Sequence, residues 1–188
     1  VKSIVIDHHE INKPYPKSNV IINPKKNNGY IEYDYFCATA LTYFFLDILI
    51  KKSKSDFRLS DYLVYVLLAT VCDVMPLRKI NKIIARNTLD SFHLKRNLAL
   101  SYIFDQYNLK KKITIDDLGF LIGPIINAGG RLNHSKYGVE LLSSDAYEVI
   151  KDRSAKLIDL NNKRKIIEQN ILEEIDYDKI KNQNKDVI

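Results

Sequence analysis

The chain has 188 residues, 46% of them hydrophobic and 28% charged, with a formal net charge of +6. That length can bury a real core and suggests one domain or slightly more. Cys37 and Cys72 are the only cysteines and both sit in apolar surroundings, which excludes a disulfide scaffold and points to reduced thiols in a cytoplasmic protein. The most apolar window, 36–50, is too short for a membrane span and holds Asp47, so no membrane partner is expected. The basic balance suits a polyanionic partner, but lysine, isoleucine and asparagine are all heavily used and part of the charge reflects that bias.

Ile4, Val5 and Ile6 are β-branched and apolar, the pattern of a short strand buried on both faces. The strand runs into Asp7, His8 and His9. Ligands gather at the carboxyl ends of strands in open parallel sheets, and a carboxylate with two imidazoles suits a divalent metal. A surface turn carrying two histidines explains the same three residues equally well. Regular alternation would send His8 and His9 to opposite faces, giving one the metal and the other the substrate. The chain opens on Val1 and enters this strand within two residues, so an N-terminal part is expected to precede it.

Pro14 and Pro16 mark a loop, Val20 to Ile22 a second strand ended by Asn23-Pro24, and Lys25 to Gly29 a polar turn. Asp34 is a plausible N-cap for a core helix from Tyr35 to about Lys51, apolar nearly all round. Lys51 to Ser55 reads as a linker, and Ser60 as the cap of a helix through Leu63, Val66, Leu67 and Thr70. That helix delivers Asp73, a lone acid in an apolar segment. It reads either as a paired or metal-bound carboxylate or as a turn residue before Pro76. Asn81 to Leu94 and Leu98 to Tyr107 read as helices, Lys110 to Lys112 as a solvated linker, and Thr114 to Asp117 as a near capping box. The helix containing Leu118, Phe120 and Leu121 leads to a loop, Gly123 to His134, whose Gly129-Gly130-Arg131 run tilts toward phosphate binding over a plain turn. A short helix, Tyr137 to Leu142, precedes one long amphipathic helix from Asp145 to about Ile175 and a polar tail. No internal repeat is visible.

Three separated segments, and a stretch of the long helix after them, share one family's pattern. Ile4 to His9 resembles the signature of the DHH phosphoesterase superfamily. Ala69-Thr70-Val71-Cys72-Asp73-Val74-Met75-Pro76-Leu77 is similar to its next acidic motif in the form seen in RecJ-type single-strand-specific exonucleases. Gly123-Pro124 through Arg131-Leu132 resembles the RecJ loop, and Leu160 to Lys165 with Ile167-Glu168 its long connector. Ile125 departs from the family's usual basic residue and Gly129 from its usual alanine, departures that weaken substrate contact and loosen the loop respectively.

The resemblance implies an α/β fold: the C-terminal part of a DHH-type parallel-sheet domain, mostly helical after two short strands and ending in a long connector helix. Residues 1–144 would be a partial catalytic domain, 145–175 the connector and 176–188 a polar tail. The implied activity is 5′→3′ hydrolysis of single-stranded DNA to 5′-mononucleotides in repair and recombination, with two Mn²⁺ or Mg²⁺ ions. By family position His8 and Asp73 are metal ligands. Asp7 completes the site or orients a histidine, and His9 contacts the scissile phosphate. Arg131, with Asn127 and the backbone near Gly130, holds phosphate charge. His134 has no assigned role and reads as an exposed histidine. The family's aspartate-rich upstream motifs are absent, so a separate N-terminal half is a candidate partner and the chain by itself is expected to be nearly inactive. The alternatives are another DHH phosphodiesterase, acting on oligonucleotides or cyclic dinucleotides, and a non-catalytic remnant.

Overall fold

The computed structural model describes residues 1–26, 31–93 and 97–175. The chain divides into two units, Val1–Leu94 with Lys111–Gly123, and Lys95–Lys110 with Pro124–Ile188. Among the described residues no helix is long and apolar enough to cross a membrane.

In the first unit, β1 (Ile4–Ile6) and β2 (Val20–Ile22) pair in parallel, with Ile4 opposite Val20 and Ile6 opposite Ile22. The expected two-sided burial does not occur: Ile4 and Val20 remain 51% and 47% exposed. The described sheet has only these two strands, and the exposure falls on the first residue of each, while the residues that follow are half-buried. Asn23 pins the loops at the strand ends. Its amide donates to the His9 carbonyl at 3.0 Å and its oxygen accepts from the Lys25 amide at 2.8 Å. Of the polar turn read at Lys25 to Gly29, residues 27–29 lie outside the described residues.

Helix α1 (Ala38–Ser53) starts three residues later than the sequence suggests. Asp34 does not cap it; its carboxylate accepts from Arg78 at 2.8 Å, and Cys37 takes the N-cap position without a side-chain cap. Tyr35, Phe36 and Cys37 instead go into the core beside Ala40, Val66 and Ile84, which holds this stretch out of helical conformation. Helix α1 is also less buried than its composition suggests. Ala40 is its one fully buried residue, and Ile48 and Leu49 are about half exposed.

A 3₁₀ turn (Leu59–Tyr62) contains Ser60 and leads into α2 (Leu63–Cys72), which buries Val64, Val66, Leu67, Leu68 and Thr70. Ser60 is therefore inside the turn and not the cap of α2. Helix α3 (Lys79–Ser91) packs on α2. Buried Asn81 ties it down by donating to the Tyr35 carbonyl at 2.6 Å and the Pro76 carbonyl at 3.1 Å.

Helix α4 (Leu98–Gln106) belongs to the second unit and is capped by Asn97, which accepts from the Leu100 amide at 3.0 Å. After it the chain returns to the first unit. There α5 (Ile115–Asp117) runs through a π segment (Leu118–Ile122) into α6 (Gly123–Arg131). The capping box is present: the Asp117 amide donates to the Thr114 hydroxyl at 3.2 Å, and the Thr114 amide donates to the Asp117 carboxylate at 2.9 Å. Lys111, read as part of a solvated linker, pairs with Asp117 at 2.8 Å. The π segment lies against α2. A methyl group on Gly119 would come within 3.1 Å of Val71, and one on Gly123 would run into the Cys72 sulfur, so both glycines serve close packing.

In the second unit, α7 (Lys136–Ser143) and α4 pack on α8 (Tyr147–Glu174). Leu100, Ile103, Phe104, Leu141, Ile150 and Leu157 form its buried interior. The stretch Gly123 to Arg131, expected as a loop, is helix α6. Ile125 and Ala128, three apart, are both fully buried, and that apolar face outweighs the weak helix propensity of glycine. Nor does Gly129 loosen the chain. A methyl there would meet the His134 carbonyl oxygen at 2.8 Å and Leu157 at 3.0 Å, while the His134 amide donates to the Gly129 carbonyl at 2.7 Å. Glycine permits this tight return. Helix α8 spans the long segment read from the sequence, and ion pairs such as Lys163 with Asp159 at 2.7 Å line its surface. The tail 176–188 lies outside the described residues.

Asp117 supplies a stability prediction. Partial burial pushes its carboxyl up, but the Lys111 ammonium and the Thr114 hydroxyl and amide outweigh it and hold it below its ordinary value of 3.8. A depressed carboxyl contributes stability that is complete above its unfolded-state value and is lost as pH falls through the folded one. Asp117→Ala is expected to cost about 1–2 kcal/mol in urea unfolding at pH 7, with the difference from wild type shrinking below pH 3.8.

Candidate functional site

Strand β1 ends at Ile6, and the Asp7 amide makes one last bond to the Ile22 carbonyl at 3.0 Å. Asp7, His8 and His9 follow outside the strand, so strand alternation no longer governs them. The two imidazoles do not point to opposite faces; their ring centroids are 4.3 Å apart. They differ in environment instead. The His8 side chain is 11% exposed and that of His9 76%.

The start of α1 holds His8 in place. The first amides of a helix have no intrahelical acceptor, and Cys37 supplies no side-chain cap. The Ala38 N–H donates to His8 Nδ1 at 3.2 Å, so the imidazole does the work of a cap. An acceptor at Nδ1 leaves the proton of a neutral ring on Nε2. Nε2 is turned toward Asp73, 3.6 Å from Oδ2, too far for a direct hydrogen bond.

Asp73 is the C-cap of α2. Its side chain is 42% exposed, so it is not the buried lone acid that its apolar neighbours suggest. Both readings of the residue meet here: it ends the helix before Pro76, and it faces His8. The helix closes in a Schellman motif. The Val74 amide donates to the Val71 carbonyl at 3.1 Å and the Met75 amide to the Thr70 carbonyl at 2.9 Å. That geometry puts Val74 at φ 54°, a left-handed conformation that β-branched residues rarely adopt. The core beneath sets the spacing of the two helices: the Cys37 sulfur lies 3.6 Å from the Thr70 hydroxyl. The Cys72 thiol is not activated for nucleophilic work: it is pushed up to about 11, by burial first and by the Asp73 charge second.

Asp7 turns to His9, whose Nδ1 is 2.7 Å from Asp7 Oδ1. Partial burial raises the Asp7 carboxyl, but the bond to His9 and the amides of His8 and His9 more than offset it, and the net shift is downward. Asp7, His8 and His9 each offer a donor atom within 4.8 Å of the others'. Ligand distances to a small divalent cation are about 2.1 Å, so two ligands of one ion lie at most about 4.2 Å apart. The 3.6 Å between His8 and Asp73 satisfies that limit. Imidazole nitrogen and carboxylate oxygen are donors of the type that Mn²⁺ accepts. Ligation through Nε2 requires that nitrogen to shed its proton, so the Ala38 contact and metal ligation compete for the ring.

Asn127, Gly130 and Arg131 belong to the second unit. They stand at i, i+3 and i+4 on α6 and share its exposed face, opposite the buried Ile125, Ala128 and Gly129. Helical amides run along the axis toward the preceding turn, so the backbone at Gly130 does not form the open anion cradle that a glycine loop would offer. What Gly130 offers is space, since nothing lies within 4 Å of where its methyl would be. Ile125 is fully buried, which makes it a packing residue and not a substitute for a surface base. The sequence reading missed the Ala38 amide and the strained Val74; the first is a backbone group and the second an ordinary apolar residue, so neither carried a side-chain signal. A cavity of about 670 Å³ is lined mostly by apolar residues such as Ile21, Phe44 and Ile80 and by none of these candidates.

The fold is the one seen in solved RecJ structures. The chain superposes on RecJ from Thermus thermophilus crystallised with Mn²⁺, with a TM-score of 0.80 at 22% identity, over 93% of this chain and 26% of that one. It superposes equally well, at 0.80 and 22%, on an exonuclease RecJ bound to manganese, covering 44% of that chain. In sequence it is similar to the single-stranded-DNA-specific exonucleases RecJ of Salmonella typhimurium, 31% identical over 182 residues, and of Haemophilus influenzae, 29% identical over 178. These matches take in 88% and 89% of the chain, which spans only 31% of the length of either relative. No family model matches the chain. The RecJ resemblance read from the three motifs is borne out by these relatives, and the mostly helical fold with two parallel strands by the superpositions.

Two outcomes are expected at this site. Val74→Gly removes a left-handed penalty of about 1–2 kcal/mol, partly offset by chain entropy, and should raise the melting temperature by about 2 °C. Ala38→Pro deletes the amide that holds Nδ1 at a helix position where proline is tolerated. In ¹⁵N spectra wild-type His8 should be the Nε2–H tautomer, and the variant should populate both tautomers with little change in melting.

Proposed function

We propose that the chain is part of a single-stranded-DNA-specific 5′→3′ exonuclease that releases 5′-mononucleotides, a cytoplasmic enzyme of DNA repair and recombination. The observation that carries this reading is the 3.6 Å approach of His8 to Asp73, two residues far apart in sequence, in a chain similar to RecJ exonucleases. His8 and Asp73 would hold a divalent ion, Mn²⁺ or Mg²⁺, one of two in the whole enzyme. Manganese and magnesium are present in solved RecJ structures. Such ions supply an activated water and neutralise charge on the leaving oxygen.

Asp7 orients His9 through their 2.7 Å contact, and the exposed His9 ring is free to meet the scissile phosphate. Arg131 and Asn127, on the open face of α6 beside Gly130, hold phosphate charge as it grows. A two-ion centre takes several carboxylates, whereas Asp7 and Asp73 are the acids whose side chains approach the two histidines among the described residues. The reading therefore includes further carboxylates from an upstream segment or a separate polypeptide.

The isolated chain is expected to bind Mn²⁺ weakly, followed by loss of the free-ion EPR signal, with binding reduced at least tenfold in His8→Ala and in Asp73→Ala. It should release almost no mononucleotide from single-stranded DNA. Unchanged Mn²⁺ binding in both variants would sink the metal assignment. Efficient cleavage by the chain alone, abolished by His8→Ala, would show that no further carboxylates are needed.

A further inference from the structure

The return from α6 to α7 builds a second feature, apart from the residues given roles above. The ring of His134 stacks on that of Tyr137, with centroids 5.1 Å apart and planes within 5° of parallel. Three cations gather on the same tyrosine: Arg153 at 4.9 Å from the ring centroid, Lys156 at 5.6 Å and Lys136 at 5.9 Å. Two acids accompany them. Glu140 and Asp152 both pair with Arg153, and Asp152 also accepts from Lys156 at 2.9 Å. Lys136 has no acidic partner among the described residues, nor does Arg131 at the end of α6.

The arrangement is anchored from below. The His134 amide is bonded to the Gly129 carbonyl at 2.7 Å, and the Tyr137 amide donates to the His134 carbonyl at 3.1 Å. Gly138 lets α7 press on Ile126, where a methyl would come within 3.2 Å. The imidazole is therefore a fixed plate. Its inner face is covered by Tyr137, and the residue as a whole is exposed.

A flat ring presented to solvent on a rigid backing, with the unpaired Lys136 ammonium at the tyrosine behind it, is the combination that single-stranded nucleic acid binds: bases stack on the ring and a phosphate meets the charge. The core of an interface with a folded protein partner is depleted in charged residues, whereas three cations and two acids crowd this stack. We propose that His134, backed by Tyr137, is a base-stacking platform for single-stranded DNA, with Lys136 contacting the adjoining phosphate. This rests on the reading of the chain as part of a single-stranded-DNA enzyme and adds a metal-independent contact to it. The stack also gives Tyr137 a role through His134: it positions the plate and does not itself meet the base.

The test compares two fluorescent probes, an oligothymidylate of about twelve nucleotides and a strand of equal length and charge made of abasic residues. Binding to the full chain is followed by anisotropy in the presence of EDTA. Wild type should prefer the base-bearing strand by about 5- to 100-fold. His134→Ala should remove that preference without changing affinity for the abasic strand, and His134→Phe should restore it. Lys136→Ala should weaken both probes alike and reduce the slope of log affinity against log salt by about 1. Thermal melts of the variants, all at exposed positions, check that folding is intact. A base preference that survives His134→Ala overturns the platform while leaving the nuclease reading standing. Failure of wild type to bind either probe overturns both.

Discussion

A backbone amide meeting a histidine ring organises the first unit's site. Helix α1 begins without a side-chain cap, and the imidazole of His8 takes that place. One contact thereby does two jobs. It satisfies a helix amide that would otherwise lack a protein acceptor, and it aims the far nitrogen of the ring at Asp73. The aromatic cluster of Tyr35 and Phe36 sets where α1 can start, because burying those two rings keeps their backbone out of the helix. Moving the helix start by one residue would move the amide, and with it the ring.

Asp73 is placed by an equally local device. Helix α2 ends in a turn that leaves a β-branched residue in a left-handed conformation, and the carboxylate is carried at the cap just before it. Backbone strain of this kind is found where surrounding structure over-determines a residue, often near functional groups. Here the over-determination is visible: the turn's two amide bonds, the Cys37 contact with Thr70, and the close approach of the π segment to α2 all constrain the same helix end.

Much of this was legible in advance. The two strands, the capping box at Thr114, the long helix and the acid–histidine run follow from β-branching, residue spacing and amphipathic periodicity, which are local properties. What misled was also local. Asp34 reads as a cap, but an arginine beyond α2 offers it a stronger partner. Two glycines beside an arginine read as a loop, yet Ile125 and Ala128 have a core to enter, and Gly129 supplies close approach in place of freedom. Strand alternation separated the two histidines only on the assumption that the strand continued past Ile6.

Residue types alone were enough to nominate the chemistry: a carboxylate with two imidazoles after a strand, a lone acid at a helix end, and an arginine among glycines. Type and spacing govern what a side chain can bind, and neither depends on the rest of the fold. Whether His8 and Asp73 meet, which ring nitrogen faces the acid, and whether Asn127 shares a face with Arg131 were decided by tertiary packing. Each depends on backbone groups and helix ends whose positions are set by the core, and no local pattern of letters records those positions.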